Sequence, residues 1–114
     1  MEAARALADL VEISPQIDAA AVVTADGELD GSVGVPELRA GVLARSVREL
    51  LESAADFRSE GHVTQLYAEL DDGDVFAVTG PGGRAIVAVT RGRATPGLVL
   101  YDLKRCLAAV TDET

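Results

Sequence analysis

The sequence predicts an α/β sandwich of the α+β kind, with helices covering both faces of a five-stranded antiparallel sheet. Three observations carry that expectation. Helical spacing of apolar residues marks segments at 2–13, 37–57 and 98–110. Apolar runs separated by Asp-Gly and Gly-Pro-Gly-Gly turns mark strands between those segments. The links among the last three strands are too short for crossovers, so those strands run antiparallel. The expected order is α-β-β-α-β-β-β-α.

The first helix, residues 2–13, places Ala3, Leu7, Leu10 and Val11 at helical spacing, with Glu2 near its start and Pro15 just past its end. Residues 19–24, AAAVVT, then form a strand, Ala25-Asp26-Gly27 turns it, and ELDGSV alternates around Leu29 and Val33 as the second strand. The stretch from Asp26 to Glu37, DGELDGSVGVPE, also has EF-hand spacing, because Asp26, Glu28, Asp30, Gly31 and Glu37 fall at positions 1, 3, 5, 6 and 12. A calcium loop needs a helix on each side. Here Ala21-Val22-Val23-Thr24 leads in as a β-branched run, and no second such loop appears. The stretch therefore reads as a hairpin with solvated carboxylates.

Pro36 suits the first turn of a helix and Glu37 the positive end of its dipole. From there to about Phe57, Leu43, Val47, Leu50, Ala54 and Phe57 form one stripe, expected to face the sheet. Leu38, Val42, Leu51 and Ala55 form a second set, wider than one sheet face requires. Arg39, Arg45, Arg48, Glu49 and Glu52 make a polar strip, with Arg45-Glu49 and Arg48-Glu52 at supportive i,i+4 spacing.

HVTQLYAEL, VFAVT and RAIVAVT then read as three strands, and residues 98–110 put Leu100, Leu103, Leu107 and Val110 on one helical face. AAAVV and AIVAV are apolar on both faces and suit central positions, whereas ELDGSV and HVTQLYAEL carry polar groups and suit edges. Those preferences select the strand order 2-1-5-4-3.

Composition narrows the function. A chain of 114 residues can bury a core without disulfide or metal staples, and residues 1–114 are expected to be one domain. Nineteen acidic against ten basic residues give a net charge of −9, which disfavours nucleic acid and anionic membrane as partners. One cysteine and no apolar run long enough to span a bilayer point to a soluble, cytoplasmic protein.

Catalytic signals are missing. GPGGR lacks the GxxxxGK[ST] pattern and leads into a strand, so it reads as a turn. His62 is the only histidine and opens a strand with no nucleophile nearby; Cys106 sits among Leu103, Leu107 and Val110 as a core residue. Ser14, Ser32, Ser46, Ser53 and Ser59 lie in no nucleophile-elbow context. No enzyme activity, cofactor or metal is expected.

The ordered pattern of LADLVEISPQIDAAAVVTADGEL, the long second helix, VTQLYAELDDGDVFAVTGPGGRAIVAVT and TPGLVLYDLKR resembles the roadblock / dynein light chain family over about residues 5–110. The resemblance implies a profilin-like fold with one helix on one face and two on the other. It also implies homodimers that pair through the second helix and third strand, and a non-enzymatic role in binding Ras-like small GTPases and modulating their nucleotide state or localisation. The alternative is a passive scaffold or light-chain-type adaptor. No arginine-finger motif defines the family.

The surplus apolar surface on the second helix and the open HVTQLYAEL edge fit such pairing, although Leu38, Val42 and Leu51 would also serve by packing under a neighbouring loop. The expected dimer interface is Leu38, Val42, Val47, Leu51 and Ala55 with Val63, Gln65 and Tyr67. Leu51 is expected off the main core stripe. Arg39, Arg45, Arg48, Glu49 and Glu52 are the expected partner-facing rim.

Overall fold

The computed structural model describes residues 1–34, 37–56 and 63–111. Its elements are α1 (Ala3–Ile13), β1 (Ile17–Val23), β2 (Leu29–Val33), α2 (Glu37–Ala55), β3 (Gln65–Glu69), β4 (Asp74–Thr79), β5 (Ala85–Thr90) and α3 (Pro96–Thr111). The strands form one antiparallel sheet in the order β2-β1-β5-β4-β3. Element order and sheet order are those expected. The third strand is shorter than HVTQLYAEL, and His62 and Phe57 lie outside the described residues.

Local chemistry sets the boundaries. Ser14 donates its backbone N–H to Leu10 O at 2.8 Å and closes α1 ahead of Pro15. Gly27 N donates to Thr24 O at 3.0 Å and Thr24 N to Glu28 O at 2.9 Å, so the Asp26-Gly27 stretch is a hairpin turn between two strands. A strand, β1, leads into the stretch and β2 occupies its middle, so the calcium-loop spacing is incidental. Gly34, at φ 85°, leaves β2 where any Cβ would collide with Asp18 O, so only glycine fits this route into α2.

α1 and α3 lie on one face of the sheet and α2 on the other. In β1, Ala20 and Val22 face α1 and α3, whereas Ala21 and Val23 face α2; in β5, Ile86 and Ala88 alternate with Ala85 and Val87 in the same way. Both central strands are therefore apolar on both faces over residues 19–23 and 85–89. Leu7, Leu10, Phe76, Ile86, Val99, Leu103 and Leu107 fill the α1/α3 side. Burying each such side chain is worth about 1.5–3 kcal/mol. The α2 side is made of smaller groups, chiefly Ala21, Ala40, Val47, Leu51, Ala77 and Val87.

Those small groups correct the expected orientation of α2. Ala40, Ala44, Val47 and Leu51 are the residues turned into the sheet, while Leu50 is 47% exposed. Adjacent helical residues point about 100° apart, so exchanging Leu50 for Leu51 while keeping Val47 buried turns the helix by somewhat less than that spacing. The cause is packing distance. Ala40 and Ala44 let the helix settle close on Ala21, Val23 and Ala85, and that close approach outweighs burial of the larger Leu50.

Candidate functional site

α2 packs on β1 and β2 and leaves the other half of its sheet face with less cover. On that half Leu66, Ala68 and Val75 are only partly buried. A groove of about 610 Å³ runs between helix and sheet, lined by Asp18, Ala19, Arg39, Val42, Leu43, Ser46 and Val89. Val42, on the rim of this groove, is 49% exposed, and Leu50 on the same side of the helix is 47% exposed. One flank of α2 is thus apolar and uncovered.

β3 bounds the same region. Among the described residues it pairs with β4 alone, so its outer edge presents backbone N–H and C=O groups without strand partners. Gln65, Tyr67 and Glu69 are exposed along it. Tyr67 stacks on buried Phe76 with ring centroids 4.9 Å apart. Partial desolvation and the carboxylates of Asp74 and Glu69 hold its phenol above the ordinary value, so it is neutral at physiological pH.

The structure redistributes the expected site residues. Val42, Gln65 and Tyr67 are on the surface and Val63 is half-buried, all near the open flank or edge. Val47 and Leu51 are instead buried core residues, at 4% and 6% exposure: Val47 stays on the sheet-facing stripe, and the rotation described above brings Leu51 in beside it. The side chains of Leu38 and Ala55 lie outside the described ones. Leu43, Ser46 and Leu50 are the residues that sequence reasoning assigned elsewhere or passed over.

Of the expected rim, Arg45, Glu49 and Glu52 are exposed and Arg39 lines the groove. Arg48 is not a free rim cation. Its Nη2 donates to Thr24 O and to Gly83 O, each at 3.0 Å, and its Nε is buried without a partner. It ties α2 to the β1–β2 turn and to the β4–β5 turn, both of which are visible in the sequence although their approach to Arg48 is not.

The Cys106 thiol is pushed up to about 11, first by burial and then by Asp9, which leaves it protonated and unreactive at neutral pH. Among the described residues no group of His, Cys, Asp or Glu is placed to hold a metal. No helix among them is long and apolar enough to cross a membrane. The geometry on offer is an apolar helix flank and, at the sheet margin, a strand edge without a strand partner among the described residues.

No protein-family model matches the sequence, and no curated protein matches it. Solved structures do. A Roadblock/LC7 domain from Streptomyces avermitilis is 21% identical, with a TM-score of 0.84, and the match covers 95% of this chain and 93% of that one. MglB from Myxococcus xanthus is 16% identical, with a TM-score of 0.81 and coverage of 97% and 86%. LokiProfilin2, in a complex with rabbit actin, is 18% identical, with a TM-score of 0.67 and coverage of 96% of each chain. The fold is that of Roadblock/LC7 domains and, more distantly, of profilins.

Proposed function

We propose that this chain works as a single roadblock-like domain over residues 1–114 that pairs with a second copy through α2 and β3 and, so paired, binds a Ras-like small GTPase in the cytoplasm as a non-enzymatic regulator. The observation that carries this reading is the half-covered sheet face between Val42, Leu43 and Leu50 and the open edge of β3. A twofold axis beside β3 would join two sheets edge to edge and lay one α2 against the other, covering backbone and apolar surface in one step. MglB, a structural neighbour, has a tetrameric arrangement, which agrees with self-association in this fold.

The paired α2 helices would form a platform whose outer side carries Arg45, Glu49 and Glu52. Regulation without a nucleophile or base works by preferring one conformation of the partner, since a ligand shifts an equilibrium only by its differential affinity. The test is to recover the Ras-like GTPase from the source cell by pull-down and measure its binding in the GDP and GTP states. Unequal affinities, weakened by Arg45→Glu with the fold intact, are the expected result. Equal affinities would leave the adaptor role alone, and capture of no GTPase would remove the reading.

A further inference from the structure

The loop between β5 and α3 holds the β3–β4 hairpin by one arginine. Arg93 Nη1 meets Asp74 Oδ1 at 2.5 Å and Gly73 O at 3.5 Å, its Nη2 donates to Leu70 O at 2.6 Å, and its Nε lies 3.5 Å from Glu69 Oε1. Asp74 is fully buried and its Oδ2 also accepts from Ala94 N at 3.3 Å. Thr90 closes the arrangement, because Asp74 N donates to its Oγ1 at 3.1 Å and that hydroxyl reaches Gly92 O at 3.2 Å. The backbones approach closely there. Gly92 N donates to Asp72 O at 3.0 Å, and a Cβ on Gly73 would collide with Thr90 O.

β3 has five residues and a single neighbouring strand, so its order depends on its ends. At its start, Thr79 N donates to Thr64 O at 3.0 Å and Thr79 Oγ1 to Val63 O at 2.8 Å. At its finish, the groups that Arg93 grips are Glu69, the last residue of the strand, and Leu70, the next. A planar guanidinium can fork to several acceptors at once, which a lysine ammonium cannot do with one fixed geometry.

We infer that Arg93 is a positioning residue for self-association: with Asp74 it holds the end of β3 in the extended, aligned state that a second copy must find in order to pair. This rests on the dimer reading above. Without the grip, the last residues of the strand would have to be ordered during association, and ordering even one backbone residue weakens binding by about tenfold.

The experiment compares wild type with the double variant Arg93→Gln/Asp74→Asn, which removes both charges and so leaves no buried carboxylate unpaired. Sedimentation equilibrium gives the dimer constant, and hydrogen exchange gives the protection of the Leu70 and Gly92 amides against that of Val22 in the central strand. The expected result is a dimer weakened by about tenfold or more, with faster exchange at Leu70 and Gly92 and unchanged exchange at Val22. Should the double variant fail to fold, Arg93→Lys carries the same test, since it keeps a cation beside Asp74 without the fork. A dimer constant within about twofold of wild type, a difference of under half a kcal/mol, would overturn the inference while leaving the dimer in place. A wild type that stays monomeric would remove the dimer reading, and this inference with it.

Discussion

The two faces of the sheet solve the same problem unequally. On one, two helices bring Leu7, Leu10, Leu103 and Leu107 down on Phe76 and Ile86, and the layer closes. On the other, one helix rests on Ala21, Ala77 and Val87 and leaves Val42 and Leu50 half out in solvent beside partly buried Leu66 and Val75. Large side chains fill their own face; small ones let a helix come close but cover little ground. The face built from alanine and valine is therefore the one less completely covered by helix, and it is the side that the proposed pairing would use.

That division can be broken by substitution, and the closed side should show the largest effect. Phe76→Ala removes a fully buried ring under α3 and is expected to cost about 3–5 kcal/mol; a urea midpoint within experimental error of wild type would contradict it. Leu51→Ala, on the α2 side but inside the core, should cost about 2–3 kcal/mol, near the lower end for such truncations because its neighbours are small and the helix can settle. Leu51→Asp would then report unfolding instead of dimer loss.

Val42→Asp and Leu50→Asp sharpen the comparison from the other side. Both residues are about half exposed, so each charge stays hydrated and the thermal midpoint should move by under about 1 kcal/mol equivalent, whereas sedimentation should show the pair dissociated. Unfolding by either substitution would mean that the open flank belongs to the core after all.

The effect that is smallest at neutral pH is on the closed side and grows with alkalinity. The Cys106 thiol sits at about 11 in the fold against an ordinary value of 9.0, so the folded chain keeps a proton that the unfolded chain gives up. Below pH 9 both states are protonated and stability is unaffected; from about 9 to 11 unfolding releases the proton, and stability should fall. Urea titrations at pH 8 and pH 10 should show a larger loss of stability for wild type than for Cys106→Ala, in which the Tyr67 phenol, also raised in the fold, still contributes.

Much of this architecture was legible in the sequence because it depends on period and punctuation. Apolar residues on both faces of residues 19–23 and 85–89 placed those strands centrally, and Asp26-Gly27 and Gly80 to Gly83 fixed the turns. What was not legible depends on distance. The α2 stripe was assigned by residue size, which favoured Leu50, but the helix seats through Ala40 and Ala44, and nothing local to the helix announces how near a neighbouring layer will come. Asp74 was hidden for a related reason. In DDGD it is one of three acidic turn residues, and only the arrival of Arg93 and Ala94 from 19 and 20 residues further on turns it into a buried acceptor. Arg48 likewise read as a solvated cation until two turns were brought to it.

The opposite edge of the sheet carries a consequence of its own. β2 pairs with β1 through a register shift between Val22 and Val23, and its Asp30 reaches back to Arg84 at 3.7 Å. An edge kinked in this way and carrying a charge is a poor template for another strand. A sheet able to add strands at both margins is a monomer in the polymer chemist's sense, with two reactive ends and no natural stopping point. This one would have a functionality of one, so joining two copies through β3, as proposed, would use up the growing end of each and terminate the chain at its first bond.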